Sequence, residues 1–343
     1  MRRQLRRDDG QTVILVAIAL PLIVVMIALV IDGAHWFTQR RSVQNAADAA
    51  ALALARDIPR DGSACTGACL STMVADAQTY ATANGMSVTV HSCSGAADTN
   101  CVQTPYSGST GTKPNPDSSV QVRLRKNAST FFAQAFALSV PVGASAAVAL
   151  GGPPSSAGKV TPIGVDQTIV CHSGDTVCFS TPHVLDFQSP PGFSLLDLDK
   201  VSTSGPIVGN TASTAEMVTW IDEGYPALLP AKAWYGAEGN AGGHNGMKSS
   251  LENAAASQTV LLVPVFGQPS GGATSPDPAT GSYYVIGFAA FLIDPGGVVW
   301  RGNGVTGRHT LTGKFVDYIA TGVSGGPPGG SNDFGVHVIT LDE

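Results

Sequence analysis

Three residues near the C-terminus have the types and the order of a hydrolase triad. Ser324 is flanked by glycines in a Gly-x-Ser-x-Gly pattern, and Asp333 and His337 follow in the order seen in α/β-hydrolases. A serine activated by a histidine could attack an ester or amide carbonyl. That chemistry requires a sharp turn from a strand into a helix, and Pro327 and Pro328 disfavour a helix here. We therefore expect a loop and assign no catalytic residue.

The cysteines could form disulfides or, in part, bind zinc. All six follow the apolar segment described below, and an even count is typical of disulfides in exported domains. Six residues separate Cys171 from Cys178, enough for a turn, so we expect these two to pair and the other four to pair among themselves in an open order. The first three cysteines and His91 could instead ligate zinc, although their spacing is loose. The disulfide candidates are Cys65, Cys69, Cys93, Cys101, Cys171 and Cys178.

Asp197 and Asp199 form the best acidic pair in the chain. Alternate residues of a strand point to the same face, so the two carboxylates could hold a cation together. Calcium usually takes about six to eight oxygen ligands, which two carboxylates do not supply. We expect a structural role for this pair and assign no metal or cofactor.

The elements that position these residues begin with an apolar segment of membrane length. Residues 12–31 carry no charge, and at about 1.5 Å per residue they span a hydrocarbon layer of roughly 30 Å. Four arginines precede the segment, so the positive-inside rule places the N-terminus in the cytoplasm. A cleaved signal peptide and a buried core helix are the alternatives, but a signal peptide has a shorter apolar region of about 7 to 15 residues. We predict a single-pass anchor in the cell membrane with the rest of the chain extracytoplasmic.

A second helical pattern follows the apolar segment directly. Residues 34–57 contain neither glycine nor proline and are rich in alanine and leucine, which favours an exported helix. Apolar residues recur along one face at heptad-like steps. This seam could pack on the globular part of the same chain or contact other subunits, and periodicity alone does not choose between them. The seam proposed for partner contacts contains Trp36, Val43, Ala47, Ala50 and Leu54.

The N-terminal residues resemble a known family. The arginine-rich start, Gly10, Pro21 within the apolar span, Asp32 and the alanine-rich tract at 44–55 resemble the N-terminal domain of TadE/TadG-like proteins of Flp (Tad) pilus assembly. Residues 120–150 resemble the next part of such proteins, and later stretches resemble long TadG-like ectodomains. The resemblance implies a structural component of pilus assembly, Tad secretion or the cell envelope. It also implies contacts with other pilus-assembly or pilin-like subunits through the N-terminal helix.

One departure from that family limits what is carried over. Larger TadG-type members often contain a von Willebrand A-like domain with an Asp-x-Ser-x-Ser metal motif. Here Asp117 and Ser119 fit the pattern, but Gln121 does not. We therefore do not predict metal-dependent adhesion.

The remaining elements predict an α+β fold. A half-buried strand is indicated at 120–125, a helix at 128–138 and a strand at 140–150. Near-continuous apolar runs at 259–266 and 283–293 are typical of buried central strands. The predicted division is a cytoplasmic tail at 1–11, a transmembrane helix at 12–31, an exported helix at 32–57, a small α+β domain at 58–150, a linker at 151–159 and a mainly β domain at 160–343.

Charge and composition restrict the class of partner. Charged residues make up only 13% of the chain, which also contains 40 glycines and 22 prolines, a balance typical of loop-rich exported domains. Residues 32–343 carry 15 basic and 23 acidic residues, a net charge of −8. No broad basic field exists there to attract a phosphate backbone, so nucleic acid is excluded as an expected partner. Membrane lipid and pilus subunits are the expected partners, and an exported hydrolase or ligand-binding ectodomain on a pilus-type anchor is the alternative function.

Overall fold

The computed structural model describes residues 9–59, 63–106, 118–136, 140–187, 192–208, 212–238, 246–269, 275–277, 280–300, 309–324 and 331–342. This part of the chain has one long N-terminal helix followed mostly by strands, which confirms the predicted α+β class. The helices are α1 (Asp9–Leu54), α2 (Ala68–Ala83), α3 (Thr176–Ser180), α4 (Thr214–Asp222) and α5 (Met247–Ser257), with a 3-10 helix at Ala133–Phe136.

Helix α1 runs without interruption from the apolar segment into the alanine-rich region that follows it. Pro21 lies inside it, which is tolerated in lipid because neighbouring groups satisfy the freed carbonyl. In its apolar half nearly every described side chain is exposed, so this half is not the core helix of a globular domain. By length and composition, α1 is the described helix that could cross a membrane.

The first sheet lies against the C-terminal, alanine-rich half of α1. Its two long strands form an antiparallel hairpin in continuous register, and α2 packs on the same side of α1. Val120, Val122 and Leu124 are buried, as the alternation of that strand predicts. The strand order is β1 (His91–Ser92), β2 (Cys101–Gln103), β3 (Ser119–Ala128), β4 (Val140–Leu150) and β17 (Ile339–Asp342).

The second sheet has seven strands and its own hydrophobic core. Strand β12 is long enough to pair with β11 and, through its first residues, with β10, which closes five of the strands into a ring. Helix α5 packs on β12. The strand order is β10 (Ala233–Glu238), β8 (Phe193–Ser202), β6 (Ile163–Asp166), β11 (Val260–Phe266), β12 (Tyr283–Val299), β13 (Thr310–Phe315) and β7 (His183–Asp186).

Two boundaries differ from the prediction. The expected linker at 151–159 contains β5 (Pro154–Ala157), which pairs with β9 (Leu229–Pro230) and β15 (Gly322–Ser324). The second difference concerns the mainly β domain predicted at 160–343. Its last strand, β17, does not pair within that domain but with β4 of the first sheet. Glycine and proline suggested a linker, but pairing with distant strands supplied the hydrogen bonds that keep this segment extended.

The helix expected at 128–138 is also replaced by another structure. Strand β3 continues to Ala128, and only the short 3-10 helix follows among the described residues. The backbone N–H groups at the start of that helix bond to a side chain of α1 instead of to a preceding helical turn. A long-range hydrogen bond therefore overrides the local helical propensity.

The seam of α1 faces the interior of the same chain. Val43, Ala47, Ala50 and Leu54 are fully buried in a core formed with α2, β3 and β4, and Trp36 packs against it. The proposal that these residues contact other subunits is corrected accordingly, because their surface is already covered. Small side chains on this face allow the sheet to approach the helix closely.

We predict that Ala47→Leu destabilises the protein by about 1–3 kcal/mol, because a larger side chain overpacks a closed core. Leu52→Ala is the control on the same helix, since Leu52 is 41% exposed and should change stability by no more than about 0.5 kcal/mol. Urea unfolding of the full chain in detergent micelles measures both values. Unchanged stability of Ala47→Leu would instead restore the seam as a candidate partner surface.

Candidate functional site

The candidate functional site is the junction where α1 leaves its apolar segment and holds the β3–β4 connection. We define the junction as Asp32, His35 and Gln39 of α1 with residues 129–133. The three helix residues are spaced by three and four positions, so they lie on one face. That face meets a segment roughly one hundred residues later in the chain.

Asp32 accepts hydrogen bonds from three consecutive backbone N–H groups. Its carboxylate oxygens lie 2.8 Å from the nitrogen of Phe131, 3.0 Å from that of Phe132 and 2.7 Å from that of Ala133. These N–H groups lie beyond the end of β3 and have no ladder partner there. Bonds to an ionised acceptor are shorter and stronger than neutral ones, so this carboxylate fixes the connection on α1.

The other two helix residues bond to Ser129. The amide nitrogen of Gln39 donates to the Ser129 carbonyl at 3.0 Å and to its hydroxyl at 2.8 Å. His35 lies 3.2 Å from the same hydroxyl, and its ring packs beside Phe131 with centroids 5.5 Å apart. Four residues of the connection, Ser129 and Phe131 to Ala133, are therefore held by one face of one helix.

An apolar groove of 410 Å³ lies directly below these contacts. Its polar members, such as Asp32 and Thr130, are few, and most of the wall is apolar side chain. The indole N–H of Trp36 is buried and has no hydrogen-bond partner among the described residues. The groove is lined by Val25, Ala28, Leu29, Asp32, Gly33, Trp36, Thr130, Phe132, Ala133 and Val140.

A second carboxyl lies just beyond the other end of α1. Burial raises the pKa of Asp57, and the facing Asp76 carboxyl of α2 raises it further, while Arg56 opposes the shift. Two carboxyl groups share a hydrogen bond only when one carries a proton. Ionisation of Asp57 therefore lowers the stability of the folded state at neutral pH. In agreement, one carboxylate oxygen of Asp57 is buried and lacks a hydrogen-bond partner among the described residues.

The structure brings all six cysteines to disulfide distance in three pairs. Cys171 pairs with Cys178, as their spacing predicts, at a Cα separation of 5.5 Å. The open order of the other four becomes Cys65 with Cys69 and Cys93 with Cys101. This pairing separates the zinc candidates, and His91 lies 3.1 Å from Asp98 instead. His183 approaches both sulfurs of the Cys171 pair, but a disulfide offers no thiolate to a metal.

The hydrolase-like residues divide between different roles. Asp333 and His337 are buried and lie 3.1 Å apart, and the Asp333 carbonyl also accepts from the backbone of Ser173. Ser324 belongs to β15, while the side chain of Ser324 and residues 325–330 lie outside the described part. Residues 331–342 contain two strands, β16 (Val336–His337) and β17, and no helix. The carboxylate and the imidazole of this buried pair therefore bond to each other within one short segment of the chain.

The acidic pair on β8 is split by a change of register. Asp197 is fully buried, whereas Asp199 is exposed and accepts a hydrogen bond of 2.9 Å from the Tyr225 hydroxyl. The pairing of β8 with β10 shifts between Tyr235 and Gly236, so the simple alternation of side chains is lost. The two carboxylates do not present a shared face for a cation.

The junction is not predicted by the sequence pattern. Asp32 was noted only as part of a resemblance, and His35 and Gln39 were not singled out. The available signal was the spacing of three polar residues immediately after an apolar span, which predicts one polar helix face. The partner of that face was not readable from local sequence.

Comparison with known proteins gives one family match. Residues 10–57 match a family model described as putative Flp pilus-assembly TadE/G-like. The N-terminal region therefore carries a TadE/G-like segment, which confirms the resemblance for this part of the chain. The matched segment contains the apolar span, the helix residues of the junction and the buried alanine face, and it ends at Asp57. No curated protein and no solved structure matches the chain.

We predict that Asp32→Asn speeds hydrogen exchange of the Phe131, Phe132 and Ala133 amides, because an uncharged amide with one acceptor oxygen cannot hold all three. Asp48→Asn is the matched control, since that carboxylate accepts from Gln44 on the same helix. Exchange mass spectrometry of the full chain in detergent measures the amides. Equal protection in parent and Asp32→Asn protein would contradict the assigned role.

We predict that Asp57→Asn increases stability at pH 7 by less than about 1 kcal/mol, since the pair is partly solvated. Because the folded pKa is raised, the native carboxyl contributes most below its ordinary value of 3.8 and loses that contribution as pH rises through the folded pKa. The gain should therefore vanish near pH 3. Thermal unfolding at several pH values tests this, with the exposed Asp222→Asn as control. A gain that persists in acid would refute the carboxyl pair as its cause.

Proposed function

We propose that this protein is a non-enzymatic, membrane-anchored component of Flp (Tad) pilus assembly or of a related envelope structure. The observation that carries the proposal is the TadE/G-like match over residues 10–57. The same residues form the span and the exported half of α1. The anchor crosses the cell membrane once, with its N-terminus in the cytoplasm and the folded domains outside.

Three further features support an extracytoplasmic position for the folded part. The cysteines lie in pairs at disulfide distance, which suits an oxidising compartment. The arginines ahead of the span outnumber those just after it. Most side chains in the apolar half of α1 are exposed, as on a lipid-facing helix, which supports the anchor itself.

Contacts with other pilus subunits must use surfaces other than the buried seam. On the exported half of α1, Phe37 is 61% exposed and Leu52 is 41% exposed. Within the membrane, most of the apolar half of α1 is exposed and open to neighbouring helices, apart from the side at Ala28. We propose that pilus-assembly or pilin-like subunits dock along these exposed faces.

Complementation of a deletion strain tests the function. We expect loss of the gene to reduce surface pili, and the parent chain and Ser324→Ala to restore them, because assembly requires no nucleophile. The double variant Leu22→Arg, Val25→Arg should fail, since each arginine costs about 2.5–3.5 kcal/mol at the centre of a span. Electron microscopy of surface pili measures the outcome.

The matched control is Leu22→Ala, Val25→Ala, which keeps the span apolar and should restore pili. Protease added to spheroplasts should digest the folded domains of the parent chain and leave an N-terminal tag protected. Unaltered piliation in the deletion strain would reject the assembly role. A defect caused by Ser324→Ala with folding intact would favour the exported hydrolase, and a protected folded domain would reject the orientation.

A further inference from the structure

One residue inside the apolar span of α1 is covered by protein. Ala28 is 9% exposed, whereas its neighbours Ile27 and Leu29 are 53% and 73% exposed. Ala28 also lines the groove together with Thr130, Phe132 and Ala133 of the β3–β4 connection. The connection therefore extends past Asp32 toward the membrane and covers one side of the span.

Helix geometry gives the depth that the connection reaches. Ala28 precedes Asp32 by four residues, which is about 6 Å along the axis, and Val25 precedes it by seven, which is about 10 Å. The charge-free span ends at Ile31. The groove between Val25 and Asp32 is therefore level with the outer part of the hydrocarbon layer when the span is in a bilayer.

The contacts between this segment and α1 change from polar to apolar in the direction from Gln39 to Val25. On the water side, the connection is bonded through Ser129 to Gln39 and His35. On the membrane side, Phe132 is 40% exposed and lies beside Val25 and Leu29, which are themselves exposed. An apolar side chain such as phenylalanine is favoured on the face of an element that is buried at the boundary between headgroup and acyl chain.

We propose that residues 129–133, which follow β3, form a second membrane-contacting element and that the groove beside them holds an acyl chain of an outer-leaflet phospholipid. The inference rests on the proposed insertion of the anchor and adds a lipid site that the anchor alone does not require. Asp32 positions the element by holding its backbone, and Phe132 and Ala133 form the wall opposite α1. The lipid chain fills the apolar space between them.

The size and continuity of the groove favour a lipid chain over a second helix. A volume of 410 Å³ falls within the range of about 300–1,000 Å³ for small-molecule pockets. An α-helix with side chains is about 10–12 Å across and does not enter such a groove, whereas an unbranched chain does. The groove is also continuous with the exposed apolar face of α1, so lipid reaches it without crossing protein. At the upper end, an ester carbonyl would offer an acceptor at the level of the Trp36 indole.

Tryptophan quenching by brominated phosphatidylcholine tests the site in vesicles containing the full chain. Phe132→Trp places a reporter in the groove wall, and its added emission is obtained by subtracting the parent spectrum. We expect lipid brominated near the headgroup end of the chain to quench most of that emission, and iodide in the water to quench little. Lipid brominated near the chain terminus should be the weaker quencher at this depth.

Two matched reporters separate this site from the anchor. Ile23→Trp lies mid-span and should be quenched best by the deeply brominated lipid, whereas Val177→Trp, on the exposed surface of α3, should respond only to iodide. Quenching of Ile23→Trp without quenching of Phe132→Trp would overturn the lipid site and leave the anchor intact. No lipid quenching at either position would overturn both.

Measurements on the native tryptophans guard against misfolding of the reporter variant. Trp36 lines the groove, while Trp220, Trp234 and Trp300 are buried elsewhere. We expect the lipid-quenchable emission of the parent chain to disappear in Trp36→Phe. A reporter at position 132 that is shielded from both iodide and lipid would indicate a protein partner in the groove and would overturn the proposal.

Discussion

A single carboxylate at the end of the apolar span fixes how the first sheet is attached to its helix. Asp32 accepts three backbone N–H groups from the connection between β3 and β4, and no other described side chain bonds to all three. Because β3 and β4 pair along their full length, holding their connection also sets the position of both strands along α1. The first sheet is therefore held at a defined position along α1, close to the end of the apolar span.

The alanine-rich half of α1 acts together with that constraint. Val43, Ala47 and Ala50 are fully buried, so the sheet packs on a face with little side-chain bulk. One continuous helix thus has two different halves: an apolar half whose side chains are mostly exposed, and a small-residue half packed in the chain's own core. The return of β17 to β4 ties the C-terminal end of the chain to the same unit. Any partner contact of the exported helix is left to its exposed residues.

Residue combinations that resemble catalytic or metal sites serve structural purposes where the structure describes them. Asp333 and His337 are buried against each other, Asp199 bonds to Tyr225, and the cysteines lie in pairs at disulfide distance. Each of these polar groups therefore has a hydrogen-bond partner in a neighbouring side chain, and each of these cysteines lies beside a second cysteine.

The sequence by itself determined the apolar span, the helical continuation, the α+β class and the TadE/G-like resemblance of residues 10–57, because these depend on composition and periodicity within short windows. It also predicted the Cys171–Cys178 pair, whose members are close in the chain. Only the tertiary structure decided which way the seam of α1 faces, where β17 pairs and what Asp32 binds. Those features join residues up to about two hundred positions apart, and local propensity carries no information about such distant partners.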